Sequence, residues 1–146
     1  MHDDLPLAVT REVRDTCLCL HLQRAARALA RRFDEALRPF RLTSGQFSLL
    51  MSLNRPKTPR LGDVAQLLAM DRTTLTANLK PLERRGLLAV VVDVEDRRGR
   101  RLQLTDAGRD VLLAVLPVWR EVHAGLDRTL PAVDPDRLRA DLRALS

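Results

Sequence analysis

Apolar residues recur along most of this chain at intervals of three and four, and the breaks in that rhythm mark out its elements. From about Thr10 to Arg38, the positions Leu18, Leu22, Ala25, Leu29, Phe33 and Leu37 keep near-helical spacing. They predict one long helix, ended by Pro39 because the residue before a proline is pushed out of the α region. Ala25, Ala26 and Ala28 permit close helix contact, while Arg24, Arg27, Arg31 and Arg32 line much of the remainder. Thr43 stands three residues before Gln46, the spacing of a capping box, and predicts a second helix that buries Phe47, Leu50 and Met51. Arg55 to Arg60 carries Pro56 and Pro59 and reads as a turn with room for a short strand. Leu61 to Met70 is expected to be a third helix, with Val64, Leu67 and Leu68 facing in. A short connection leads to Asp71, a good N-cap, and to the stripe Leu75, Leu79 and Leu82. Pro81 falls inside that stripe and is expected to bend or divide the helix near Ala77. Gly86 stands where glycine ends a helix.

The period then changes. Leu87 to Val94 is rich in leucine and valine, Arg101 to Thr105 alternates, and Glu95 to Arg100 separates them, which predicts a hairpin. Thr105 or Asp106 opens another helix through Val111, Leu112, Val115 and Leu116. Pro117 should kink it, and Trp119, Val122, Leu126 and Leu130 carry its stripe on. Asp134 and Pro135 look like N-cap and first turn of a last helix holding Leu138, Leu142 and Leu145. Residues 1 to 8, with Asp3, Asp4 and Pro6, read as a loose arm. The fold class is mainly α with a small β-hairpin (α+β): a helix-turn-helix with a wing, flanked by N- and C-terminal helices. At 146 residues and 45% apolar this is one domain with an ordinary core. Residues 43–105 form the winged unit, and 10–40 with 106–146 the helices around it. The apolar stripes of those flanking helices exceed what so small a unit needs to cover, which points to a homodimer.

Charge sharpens this picture. The net charge is +6 and the isoelectric point about 10.8, which favours a polyanionic partner. Arginine supplies nearly all of it, since Lys57 and Lys80 are the only lysines; a GC-rich genome produces the same bias, so charge alone is a modest argument. The placement of the charge says more. On the helix after Asp71, the residues Thr73, Ala77, Lys80 and Arg84 point away from the leucine stripe, with Arg72 and Thr76 on its flank. That face is small and hydroxylic first and cationic later, as a groove-reading helix requires; an ordinary solvated helix face looks similar. Four arginines at the hairpin tip (Arg97, Arg98, Arg100 and Arg101) tilt the balance. Beside such a helix they are better explained by phosphate or minor-groove contact than by solubility. The candidate contacts to double-stranded DNA are therefore Arg72, Thr73, Thr74, Thr76, Lys80, Arg97, Arg98 and Arg100. Asp96 would repel phosphate and is expected to serve the loop itself, by pairing with an arginine or capping the turn.

A helix-turn-helix followed by Asp93, Asp96, Arg97, Arg98, Leu102, Leu104, Thr105 and Gly108 in the pattern D-x-x-D-R-R-x-x-x-L-x-L-T-x-x-G resembles the multiple antibiotic resistance regulator (MarR) family. The resemblance covers nearly the whole chain. It implies a dimeric winged-helix transcription regulator, in which the arginine at Arg98 enters the minor groove and the acid at Asp96 orients it. Two departures stand out. Val94 replaces a common proline in the wing, and Ala77 stands where many members carry a polar or basic reader.

The signal to which such a regulator responds has two candidate receivers. One is a small aromatic or apolar effector lodged between the long helices and the DNA unit, with His21, Phe33, Phe47 and Trp119 as lining. The other is thiol oxidation. Cys17 and Cys19 are the only cysteines, and on a continuous helix they would point about 200° apart, unable to bridge each other or grip one metal. By the resemblance, Cys19 falls where hydroperoxide sensors carry their reactive thiol, but this chain lacks the tyrosines that serve it there. No metal or other cofactor is implied. An enzyme is the rival class, and the chain offers no G-x-S-x-G, no phosphate-cradling glycine loop and no H-E-x-x-H. A winged helix that binds protein instead of DNA is a third class. No apolar run approaches the roughly 18 residues of a membrane span, and the expected location is the cytoplasm.

Overall fold

The computed structural model describes residues 4–130 and 132–146. In chain order the helices are α1 (Leu7–Thr16), α2 (Leu18–Leu37), α3 (Ser44–Ser52), α4 (Leu61–Leu67) and α5 (Arg72–Arg84). The strands β1 (Leu88–Val92) and β2 (Arg100–Leu104) follow, then α6 (Asp106–Thr129) and α7 (Pro135–Arg143). A single 3₁₀ turn, Arg38–Phe40, follows α2. The expected fold class is the one observed, a winged helix-turn-helix between flanking helices. Of the expected N-terminal arm, Asp3 lies outside the described residues, and the helix already begins at Leu7.

The long first helix is two helices. Cys17 is extended, with ψ at 104°, and its thiol accepts from the Leu20 N–H at 3.4 Å, so it caps α2. Thr16 helps to end α1, because its hydroxyl bonds back to the Glu12 carbonyl at 2.7 Å and competes with the backbone ladder. Cys17 therefore lies outside α2 and does not share one continuous helix with Cys19.

Caps place the other starts as expected. Thr43 and Gln46 form the reciprocal capping box of α3, and Asp34 reaches across from α2 to accept from the Ser44 N–H at 2.6 Å. Asp71 accepts from the Thr74 N–H at 2.8 Å, and Asp134 caps α7 with Pro135 in its first turn. α4 stops at Leu67, short of Met70, because Ala69 takes a left-handed conformation at φ 50°. That kink is the tight turn of the helix-turn-helix.

Neither internal proline divides its helix: α5 runs through Pro81 and α6 through Pro117. The magnitudes explain α5. An internal proline costs about 3 kcal/mol. Leu75, Leu79 and Leu82 are all buried, and each contributes about 1.5–3 kcal/mol on leaving water.

The core lies between α2, α3, α4, α5, α6 and the wing, and is built from Leu37, Leu50, Val64, Leu75, Leu102 and Val115 among others. The wing strands are antiparallel, with Leu88 opposite Leu104, Val90 opposite Leu102 and Val92 opposite Arg100. β1 is shorter than the apolar pattern suggested, since charge and turn chemistry take over from Asp93, and β2 is shifted one residue toward the turn. The expected short strand near Arg60 is one bridge to Arg101, beside a bond from the Leu102 N–H to the Pro59 carbonyl. At the far end of α5, Arg85 donates to the Arg41 carbonyl at 2.6 Å and to the Phe40 carbonyl at 3.4 Å. This ties the helix to the turn between α2 and α3.

Candidate nucleic-acid interface

Two elements present the cationic surface. On α5, Arg72, Thr73, Thr76 and Lys80 are all exposed. Two hydroxyls of that face already have partners within the helix. Thr74 donates to Asp71 at 2.6 Å, and Thr76 donates to the Arg72 carbonyl at 2.7 Å. Thr74 therefore helps start α5, and Thr73 keeps the freer hydroxyl. The Thr74 hydroxyl, joined by its N–H, also holds the Asp71 carboxyl below the usual range.

On the wing, Arg97, Arg98 and Arg100 are exposed at the tip. Asp96 accepts from the Arg98 N–H at 3.0 Å. Of its two expected roles it takes the turn-capping one, which sets the backbone that launches Arg98. Arg100 leans on the Arg97 and Gly99 carbonyls at 3.3 and 3.0 Å. Gly99 closes the turn by donating to the Asp96 carbonyl at 2.7 Å.

Arg101, counted with the wing arginines though it opens the expected second strand, turns inward, its side chain 14% exposed. Its Nε lies 3.0 Å from Oδ1 of Asp93, whose side chain is fully buried. Arg60 at the start of α4 holds the other oxygen, Oδ2, at 2.8 Å. The Glu95 N–H adds a third bond to Asp93 at 3.0 Å. The Glu95 carboxylate then spans both arginines at 3.3 and 3.1 Å, and Arg101 also donates to the Thr58 carbonyl. The Arg101 guanidinium is the main reason the Asp93 carboxyl is lowered to about 2, against the upward push of its burial. This network fastens the wing to α4. In the sequence Asp93 stands only as part of the wing motif, and nothing there marks Arg60, which lies 33 residues from its partner.

Between α5 and the wing tip lies a cleft of about 500 Å³, lined by Arg60, Gly62, Asp63, Arg72, Arg98 and Arg100 among others. All three acids along it are engaged. Asp63 accepts from the Arg60 N–H, Asp96 from Arg98, and Asp93 from its two arginines.

A second cavity, of about 390 Å³, is mainly apolar and sits between α3, α4 and α6, against Phe47, Met51, Leu67, Leu116 and Trp119. Of the four expected lining residues it brings together two: the Phe47 and Trp119 rings lie 6.0 Å apart. Phe33 packs on His123, which in turn stacks on Trp119 at 4.4 Å; His123 was not foreseen. His21 lies elsewhere, its Nδ1 donating to the Cys17 carbonyl at 2.8 Å. Cys17 is half-buried and Cys19 exposed, with the Gln23 side chain 3.2 Å from the Cys19 sulfur. Among the described residues no cluster of three or more His, Cys, Asp or Glu is placed to hold a metal. No described helix is long and apolar enough to cross a membrane.

Comparison with known proteins agrees with this geometry. The model of the MarR family matches residues 42–99. The chain is 35% identical over 97 residues to the transcriptional activatory protein BadR of Rhodopseudomonas palustris, covering 64% of this chain and 55% of that one. It thus spans little more than half of that relative's length. Among solved structures, the M. tuberculosis transcriptional regulator MosR in complex with DNA superposes with a TM-score of 0.78 at 38% identity, covering 88% of this chain and 92% of that one. The transcriptional repressor CouR bound to a 23-mer DNA duplex gives 0.73 at 30% identity, covering 97% and 95%.

Proposed function

The chain belongs to the MarR family, and on that premise we propose that it is a cytoplasmic DNA-binding regulator, a repressor that sits as a homodimer on near-palindromic double-stranded DNA. The family is one of transcriptional regulators, not of enzymes. The observation that carries the reading is the division of labour among the wing charges. The acids and the inward arginines satisfy one another, while Arg97, Arg98 and Arg100 stand exposed beside the open face of α5. In this reading Arg72, Thr73, Thr76 and Lys80 face the major groove, and Arg98 leads the wing into the minor groove. MosR and CouR, similar over most of their length, were solved with DNA. CouR is a repressor by name and BadR an activatory protein by name.

Dimerisation is supported by α1 and α7, neither of which buries a single residue within the chain. Leu7, Val9 and Val13 on one, and Leu138, Leu142 and Leu145 beside the other, are exposed apolar groups awaiting a cover. A two-fold pairing through them would set two α5 helices against successive major grooves. A small aromatic or apolar effector in the cavity at Phe47 and Trp119 would change the spacing of those helices and lower affinity. Thiol oxidation is a second reading of the signal. What favours it is the break at Cys17, which places one thiol at a helix start and the exposed Cys19 just beyond.

The test is fluorescence anisotropy with DNA from upstream of the protein's own gene, beside random DNA, over a salt series, reduced and peroxide-treated. Tight, salt-dependent binding that beats random DNA is expected. Arg98→Ala should cost about 1–3 kcal/mol of it. Unchanged function in Arg98→Ala would favour a winged helix that binds protein and sink the DNA reading.

A further inference from the structure

In B-form DNA a sugar–phosphate strand separates the major from the minor groove. A protein that puts a helix in one groove and its wing in the other must let that strand pass between them. Here the passage is the cleft of about 500 Å³ between the start of α5 and the wing tip. Its chemistry suits a group with acceptors only. Arg72 stands on one wall and Arg98 and Arg100 on the other. Neither the Arg72 nor the Arg98 guanidinium has a hydrogen-bond or ion-pair partner among the described residues, and Arg100 touches only backbone carbonyls. Of the three acids along the cleft, Asp93 is balanced by the Arg60 and Arg101 guanidinium groups, while Asp63 and Asp96 each accept from a backbone N–H, and Arg72, Arg98 and Arg100 outnumber those two. Gly62 keeps the Arg72 wall open, since a Cβ there would come within 3.1 Å of the Arg72 guanidinium.

We propose that this cleft seats one backbone phosphodiester, gripped by Arg72 from the helix side and by Arg100 from the wing, with Arg98 passing beyond it into the minor groove. The inference rests on the DNA-binding reading and deepens it. Arg72 is then a phosphate clamp, not a base reader, and fixes register while sequence is read by Thr73 and its neighbours. One phosphate sits in each protomer, two in a dimer.

Salt dependence separates the two roles. Each phosphate neutralised contributes about 0.9 to the slope of log affinity against log salt. Arg72→Ala should therefore flatten the slope by up to about 0.9 per cleft, up to about 1.8 for a dimer, since the wing arginine stays on the phosphate, and weaken own-upstream and random DNA by the same factor. Arg72→Lys should keep most of the slope and the preference, because a phosphate accepts a point charge where bidentate base reading does not. Arg72 is exposed and outside the core, and matched melting curves check that both variants fold. If Arg72→Ala changes the preference between the two DNAs while the slope holds, Arg72 reads a base and the proposal is overturned. Unchanged slope and affinity overturn it as well. Wild-type protein that binds no DNA at any salt would instead remove the DNA reading itself, so the two failures are distinguishable.

Discussion

Gly108, in the first turn of α6, has the tightest surroundings of the six glycines and gives the fold its sharpest test. A Cβ built there would lie 2.0 Å from the Leu87 carbonyl oxygen and 2.8 Å from a Leu104 methyl, where ordinary contact begins near 3.4 Å. Alanine can fit only if the start of α6 retreats from β1 by about 1.4 Å. The retreat pulls on two bonds that latch the helix to the wing: the Thr105 N–H to the Leu87 carbonyl at 3.3 Å, and the Thr105 hydroxyl to the Gly86 carbonyl at 2.6 Å. Overpacking of this kind costs about 1–3 kcal/mol, and each weakened hydrogen bond about 1 kcal/mol. Against that, alanine gains about 1 kcal/mol over glycine in a helix. The net expectation for Gly108→Ala is a loss of about 2–4 kcal/mol, on the order of 10 °C in Tm for a chain of this size. The assay is urea and thermal unfolding at fixed protein concentration, because a dimer's Tm depends on it. Gly45→Ala is the matched control: it too is early in a helix, but nothing lies within 4 Å of its Cβ position. It should be neutral or up to about 1 kcal/mol stabilising. Equal stability of the two alanine variants would show that α6 does not meet the wing backbone as described.

Two further predictions follow from the wing and the helix-turn-helix. Asp93 has its carboxyl lowered to about 2 in the folded protein, from an ordinary 3.8. Its contribution to stability is thus complete above the ordinary value and is lost as pH falls through about 2. Asp93→Asn should flatten this acid limb in melts between about pH 2 and 5, and an unchanged limb would mean the carboxylate is not held by its arginines. Ala69 occupies a left-handed conformation that costs a non-glycine residue about 1–2 kcal/mol. Ala69→Gly should stabilise by about 0.5–1 kcal/mol after the greater freedom of unfolded glycine is subtracted; denaturant midpoints would show it, and a drop in midpoint would contradict the turn geometry.

What the sequence made legible was local. Thr43, Asp71 and Asp134 announce their helices because a cap and the amides it binds lie within a few residues. The wing was legible because its charged turn interrupts two short apolar strands. Cys17 was not, since apolar spacing continues across a single extended residue and hides the break. Pro81 and Pro117 leave both helices undivided, and at Pro81 the burial of Leu75, Leu79 and Leu82 outweighs the local penalty. The inward turn of Arg101 was out of reach, because four arginines in five positions look alike until Asp93 is seen buried beneath one of them. Arg60 carries no local mark of its role at all, and only tertiary structure brings it to the wing.

The bond from Arg85 to the turn after α2 also makes α5 a lever. Thirteen residues at about 1.5 Å each give it a length near 20 Å, fastened at the end far from Thr73. A tilt of about 10° about that fastening carries the opposite end roughly 3 Å, close to the 3.4 Å step between neighbouring bases on a strand. Were the proposed effector to change the angle between α2 and α3, and the Leu75, Leu79 and Leu82 contacts to shift with it, the motion would be magnified to about one unit of DNA register at the end that carries Thr73.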